Sequence, residues 1–421
     1  MKSNASSPQA PPKCPGRVLT RRDFLKCAAA SALLSATASQ AMALDLAETA
    51  AKEAPRALTG IALCKRYEFA PVRGALERIF NELGDVRRLV KGKHVTVKTN
   101  LVNTSGEDVS DVPLWLTVTV HPMVAQALGS LLVAYGARQV VFCDQLPFRS
   151  LREDAFAGYG FKLPDFNDAM DGRARFENTR NLGRFKQYAL VKVPGTGELA
   201  TAWEVNRTYV DTDVRVSMTK LKSHVSGGIT GGMKNLFGIP PSSLYGDDLE
   251  QGPDENAVGY RNKAMHNCSR LPFTSITTFN GKSVNGDHGF NVPRFIVDLN
   301  SAFPTDLVVV DGISAIQSAE GWWIGSTVSV TRPGLLLAGR NAVCADAVSA
   351  AVMGFDPNAP DRTWPFVNGT NYLALARRKG LGENRIEKLE IVGTDLATAR
   401  FEYQPTFRRL NPDNLERQAH N

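Results

Sequence analysis

A chain of 421 residues with 49 Lys and Arg against 42 Asp and Glu carries a formal charge of +7, and most of that excess sits in the first 43 residues. Those hold six basic residues and one acidic residue, which leaves 43 basic against 41 acidic side chains in the remainder. The absence of any long basic tract excludes a nucleic-acid surface. Six cysteines without a C-x-x-C pair exclude iron–sulfur and structural-zinc frameworks.

Thr20-Arg21-Arg22-Asp23-Phe24-Leu25-Lys26 matches the twin-arginine export pattern. A weakly apolar run from Cys27 to Ala43 follows, ending in an A-x-A cleavage site at Ala41-Met42-Ala43. The expectation is a signal over 1–43, the twin-arginine translocase as a partner during export, a mature chain from about Leu44, and a periplasmic or extracellular location. The apolar run is too short for a stable membrane span.

Beyond the leader, strand and helix signals alternate. Leu58–Leu63 reads as a strand and Val72–Leu83 as a helix, with Leu76, Ile79, Phe80 and Leu83 at helical spacing. Val95–Val97 is a short buried strand ending at Lys98-Thr99-Asn100. Pro122–Tyr135 is a helix closed by Gly136, and Gln139–Cys143 a strand ending at Asp144. Further on come a helix near Arg152–Tyr159, a strand near Tyr188–Val193, and a strong strand at Val214–Met218. Residues 242–290 read as a long polar, loop-like insertion. Helix Pro293–Phe303, strand Leu307–Val310, strand Leu335–Ala338, helix Ala342–Met353, helix Asn371–Lys379 and strand Ile386–Val392 complete the chain. The pattern predicts an α/β protein, mostly parallel sheet covered by helices, in two lobes (44–205 and 206–421, the second carrying the insertion) with a central crevice. Functional groups of such sheets gather at the carboxyl ends of strands, where Lys98, Asn100, Asp144 and Asp311 fall.

Strand Val214–Met218 leads through Lys220 and Lys222 into His224-Val-Ser-Gly227-Gly228-Ile-Thr-Gly231-Gly232-Met-Lys234-Asn235. Paired glycines between a histidine and a lysine let backbone approach a ligand. The segment lacks the Walker pattern, since Met233 stands where its lysine would be. Backbone N–H groups around Gly227, Gly228, Gly231 and Gly232, with Lys222 and Lys234, nonetheless suit an anion. The expected site has His224 as acid/base or metal ligand, Lys234 as cofactor anchor or electrostatic clamp, and Lys98 as carboxylate holder. Asn235 lies with the glycines in a cofactor cradle, and Asn100, Lys222 and Asp311 contact substrate. His266, in His266-Asn267-Cys268, is a second candidate metal ligand, and His288 lies nearby in sequence. Asp311, and Asp346 in an apolar helix, are equally readable as structural ion pairs. Glu320-Gly321-Trp322-Trp323 reads either as a lid with two aromatics or as surface packing.

Lys98-Thr-Asn100, Lys222-x-His224 with Lys234-Asn235-Leu-x-Gly238, Val309-Val310-Asp311-Gly312-Ile313, and Leu336-Leu-Ala-Gly339 with Cys344-Ala-Asp346 together resemble the family catalogued as domain of unknown function 362, over most of residues 58–355. Many members carry a ferredoxin-like cysteine cluster, and this chain lacks it. The glycine segment is also similar to the nickel-pincer lactate racemase family. That resemblance implies a nickel-bearing cofactor held on Lys234, His224 and His121 as metal-binding or proton-shuttling histidines, and hydride or proton transfer at a 2-hydroxy acid. Asn235 and Gly238-Ile-Pro240 replace the continuation seen there. Two functions remain open: an exported enzyme with racemase, epimerase or oxidoreductase chemistry on a small anionic, hydroxy-acid-like substrate, or a non-catalytic periplasmic binding or accessory protein for an anion or metal.

Overall fold

Strands β10 (Leu307–Gly312) and β13 (Leu335–Gly339) alternate strictly between two apolar cores. Val308, Val310, Leu335 and Leu337 pack into one, and Leu307, Val309, Leu336 and Ala338 into the other. A strand that is apolar on both faces must lie in a sheet covered on both sides. The computed structural model, which describes residues 55–102, 112–146, 154–246, 262–272, 279–321 and 328–404, has that arrangement.

The central sheet adds β1 (Thr59–Leu63), β2 (His94–Lys98), β3 (Gln139–Asp144), β4 (Ala174–Asn178), β7 (Val214–Lys220) and β14 (Ile391–Gly393), in the order β14-β1-β13-β10-β7-β2-β3-β4. Every neighbouring pair is parallel except the two made by β13, so seven strands share one direction. Three two-stranded ribbons stand outside it: β5 (Ala189–Lys192) with β6 (Ala202–Val205), β8 (Lys222–His224) with β9 (Gly228–Thr230), and β11 (Ala315–Gln317) with β12 (Ser329–Thr331).

One face is covered by α1 (Phe69–Leu83) and α2 (Pro122–Ala134). Helix α1 buries Val72, Leu76, Ile79, Phe80 and Leu83. It ends where Gly84, at φ 79°, donates its N–H to Phe80 O. The other face is covered by the short helix α3 (Gly232–Asn235), α4 (His288–Ala302), α5 (Ala342–Val352) and α6 (Tyr372–Arg378).

The α/β class and the mostly parallel sheet agree with the sequence expectation. The division at 205/206 does not divide the fold. β7 lies directly beside β2, and Ala54–Asn421 is one compact unit, because the crossover insertions place later strands between earlier ones. Helix α4 begins at His288, five residues before the expected start at Pro293. A proline six positions into a helix removes one N–H, and the carbonyl it frees, Gly289 O, accepts from Thr370 N (3.0 Å) instead. The last expected strand, Ile386–Val392, is a 3-10 turn (Ile386–Lys388) followed by β14. No helix of the described residues is long and apolar enough to cross a membrane, and the twin-arginine segment lies outside them.

At the carboxyl end of the central pair, Lys220 of β7 and its register partner Asp311 of β10 are wholly buried, with Lys220 Nζ 2.8 Å from Asp311 Oδ2. Burial pulls the Lys220 ammonium down and Asp311 draws it back. Lys220→Met strands the carboxylate, and a loss of about 3–5 kcal/mol is expected in urea unfolding. Adding Asp311→Asn to the same chain should recover part of that loss. A double variant no more stable than the single would disprove the coupling.

Candidate functional site

The carboxyl ends of the parallel strands bring Lys98, Asp144, Lys220 and Asp311 to one edge of the sheet, and there the charges consume one another. Lys98 Nζ donates to Thr99 O (2.6 Å), Asp144 Oδ1 (2.7 Å) and Asn235 Oδ1 (3.3 Å), and Lys98 is 4% exposed. With three N–H groups so engaged it is not the carboxylate holder the sequence suggested. Asn235 is not a cofactor contact either. Its Nδ2 donates to Lys98 O, Ser217 Oγ and Met218 O, tying α3 to β2 and β7. Asp311 accepts from Lys220, from Tyr67 OH (2.9 Å) and from His121 N (3.0 Å), so its expected substrate contact is replaced by a structural cluster. His121 belongs to that cluster. Its ring stacks on Tyr67, its Nδ1 accepts from Met123 N as the cap of α2, and burial lowers its pKa to about 4.

The glycine segment folds as the β8–β9 hairpin followed by α3. Gly228, at φ 79°, closes the three-residue turn, and a Cβ there would meet Phe366 at 2.7 Å. The backbone nest at the start of α3 exists, but the chain fills it with its own anion. Asp346 Oδ1 accepts from Gly232 N (2.6 Å), and Oδ2 accepts from Met233 N (3.0 Å) and from Tyr372 OH (3.0 Å). A Cβ on Gly231 would lie 2.2 Å from that carboxylate, and one on Gly232 2.7 Å from Val308. Gly231 and Gly232 therefore admit a buried aspartate and a core valine, in place of the expected cofactor. A Cβ on Gly227 would meet its surroundings only at ordinary van der Waals distances, Lys234 Cδ among them (3.8 Å). Burial pushes the Asp346 carboxyl up to about 7, against the pull of its donors.

What stays in play is a cluster of nitrogen bases. On β8, Lys222 and His224 share one face. Lys222 Nζ donates to Val118 O (2.8 Å) and Glu320 O (2.9 Å). Burial lowers its pKa to about 7, with Glu320 opposing and Lys234 and Lys220 assisting. Glu320 Oε2 accepts from Val225 N and Asn368 Nδ2 donates to Val225 O, so the hairpin tip is held from two sides. Burial holds the His224 imidazole well below its ordinary value, reinforced by Lys234, Lys222, His266 and His288. The half-buried Lys234 sets its ammonium 4.4 Å above the Phe237 ring, which also meets His266 edge-on at 5.0 Å. His266 lies 5.5 Å from His288, whose pKa burial lowers to about 4. His224 on β8 and Lys234 on α3 are the residues the sequence singled out, and the Lys234 charge adds to the lowering of the His224 pKa. Phe237, His288 and Glu320 join them, and only three-dimensional pairing reveals that. Trp322 and Trp323 lie outside the described residues.

His224 Nδ1 accepts from Ser226 N (3.1 Å) and Gly227 N (3.3 Å). A neutral imidazole accepting at Nδ1 carries its proton on Nε2. His224 is therefore a hydrogen-bond donor at Nε2 with no free lone pair. That disfavours both the general-base role and the metal-ligand role expected with His266. Among the described residues no group of three His, Cys, Asp or Glu is placed to hold a metal ion, so these side chains do not fit a protein-ligated metal. The arrangement offers the Lys234 ammonium, the buried amine of Lys222, one neutral N–H donor at His224 and the imidazoles of His266 and His288.

The family model described as "Domain of unknown function (DUF362)" matches residues 95–351, which span the central strands, the hairpin, α3, α4 and most of α5. No curated protein matches the sequence. Among solved structures, the lactate racemase apoprotein from Thermoanaerobacterium thermosaccharolyticum is similar at TM-score 0.34 and 12% identity, over 63% of this chain and 52% of that one. The alignment thus spans about half the length of that protein, and a likeness of this size carries no argument about activity.

His288 stays neutral in the folded chain down to about pH 4, whereas in the unfolded chain it protonates near its ordinary 6.5. Between those values the unfolded state binds more protons, so this contribution is complete above pH 6.5 and lost as pH falls through 4. Asp346, raised to about 7, slopes the other way, so the readout is a difference. Urea unfolding of wild type minus His288→Asn should decline with falling pH by no more than about 1.4 kcal/mol per unit. A flat difference across that range would show the imidazole is not shielded.

Proposed function

The chain belongs to the domain of unknown function 362 family, and we propose that it is an exported enzyme taking a small anionic, hydroxy-acid-like substrate between the β8–β9 hairpin, α3 and the His266–His288 pair. The observation that carries this reading is the geometry around the Phe237 ring, with the Lys234 ammonium 4.4 Å above it, His266 edge-on at 5.0 Å and His288 5.5 Å from His266, while Lys222 and His224 share one face of the hairpin that leads into α3. An ammonium and a neutral N–H donor in such a setting are complementary to negative charge.

In this reading the Lys234 ammonium holds the carboxylate. His224 Nε2–H donates to the substrate oxygen on which charge builds up during reaction, a role suited to a neutral imidazole whose other nitrogen is fixed by backbone N–H groups. His266 or His288 takes the proton from carbon, and a proton delivered to the opposite face, by the other imidazole or by water, gives racemase- or epimerase-type chemistry. The twin-arginine pattern at Thr20–Lys26 supports a place of action outside the cytoplasm. A second reading, a non-catalytic exported protein that holds the anion, is favoured by the engagement of His224 Nδ1, which makes the centre richer in donors than in bases.

Calorimetric titration with D- and L-lactate, together with chiral analysis of product, tests both. Lys234→Met should weaken binding about tenfold or more, and His224→Gln should slow interconversion about 100-fold with a smaller effect on affinity. Lys234-dependent binding without interconversion selects the second reading. If no 2-hydroxy carboxylate binds, or Lys234→Met changes nothing, the site is misassigned.

A further inference from the structure

Three buried lysines, Lys98, Lys220 and Lys222, differ in what meets the nitrogen. Lys98 Nζ has three acceptors, one of them the Asp144 carboxylate. Lys220 Nζ also has three, Asp311 Oδ2 (2.8 Å), Trp115 O (2.9 Å) and Tyr67 OH (3.1 Å), again with a carboxylate among them. Each set matches an ammonium, which has three N–H groups to place and one charge to offset. Lys222 lies two residues after Lys220 and is only 1% exposed, yet it has two acceptors, Val118 O and Glu320 O, both uncharged backbone carbonyls. Among the described residues it makes no ion pair. The Glu320 carboxylate accepts from Val225 N (2.8 Å) instead.

A buried ammonium without a counter-charge is costly, and such a group gives up its proton. Two N–H groups meeting two acceptors is the count of a neutral amine. Burial and the Lys234 and Lys220 charges favour that form against the opposing Glu320. With both hydrogens directed to Val118 O and Glu320 O, the lone pair is the one unengaged position on the nitrogen. His224 lies on the same face of β8 and is the most exposed of the three residues of that strand.

We infer that Lys222 is a nucleophilic amine that forms an imine with an aldehyde or ketone, a chemistry that does not depend on the anion site at Lys234. The lone pair forms the N–C bond as the carbonyl π bond breaks, and one N–H hydrogen passes to the carbonyl oxygen, giving a carbinolamine. That hydroxyl takes a proton from solvent and leaves as water while the C=N bond forms. The protonated imine keeps one N–H for Val118 O or Glu320 O. His224 supplies a neutral N–H donor on the same face for the carbonyl oxygen.

The test is brief treatment of the full chain with limiting propanal and cyanoborohydride at pH 7, followed by peptide mass mapping of every lysine. An ordinary lysine is about 0.04% amine at that pH. Lys222 should therefore be alkylated about tenfold or more faster than the median exposed lysine despite its burial, and its rate should level off above pH 7 to 8 while the others climb tenfold per unit. Lys220, equally buried but paired with Asp311, should stay unmodified. Lys234→Met should leave the Lys222 adduct in place. A structural ammonium at Lys222 would instead be among the slowest lysines to react, and that result overturns the proposal. Equal labelling of Lys220 and Lys222 also overturns it, since it reports opening of the strand end and no activated amine. The wild-type map is decisive without any variant at Lys222. Slow Lys222 in a chain that still binds lactate removes the amine alone, and fast Lys222 in a chain that binds no lactate removes the anion site alone.

Discussion

The Asp346 carboxylate at the start of α3 is the contact on which the arrangement of this centre depends. It accepts from two consecutive backbone N–H groups and from Tyr372, and is wholly buried. Opening those three bonds would leave donors unsatisfied at about 1–3 kcal/mol each. The contact sets the direction in which the four residues of α3 leave the hairpin. Lys234 and Asn235 then point to opposite tasks: Asn235 back into the sheet against Lys98 and Ser217, Lys234 out over Phe237. Gly231 and Gly232 are small because Asp346 and Val308 occupy the space their side chains would need. A glycine-rich segment that resembles a ligand cradle is thus first a docking seat for another part of the same chain.

The remaining charges divide by whether they find a partner in the sheet. Lys98 closes on Asp144 and Lys220 on Asp311, each pair spanning neighbouring or nearby strands at their carboxyl ends. Buried pairs of this kind contribute little net stability but make the position of each strand end costly to change. Lys222 and Lys234 instead meet backbone carbonyls, an aromatic face and histidines. The anions Asp144 and Asp311 of this edge are thus engaged by two of the four lysines, and Lys222 and Lys234 are held by other contacts.

Much of this was legible in the sequence. Alternating apolar runs gave the strands and helices because tertiary packing follows the same periodicities. What failed was anything that depends on a partner distant in the chain. Lys98 looked available because Asp144 lies 46 residues on, and the nest looked open because Asp346 lies more than a hundred residues on. The lobes failed for a topological reason: β2 and β7 come from opposite sides of the expected boundary and are hydrogen-bonded neighbours.

The direction in which His224 offers its proton ties these features together. Two backbone N–H groups of its own turn fix Nδ1 as an acceptor, and Glu320 and Asn368 fix that turn at Val225. Protonating the ring would cost both bonds to Nδ1 and would add a charge near the Lys234 ammonium in a buried setting. The imidazole is therefore held neutral by geometry as well as by field, with Nε2–H as its only outward function. A histidine fixed in this way offers a hydrogen-bond donor and no base, while the His266 and His288 rings pair with each other between the insertion and α4, His266 edge-on to Phe237.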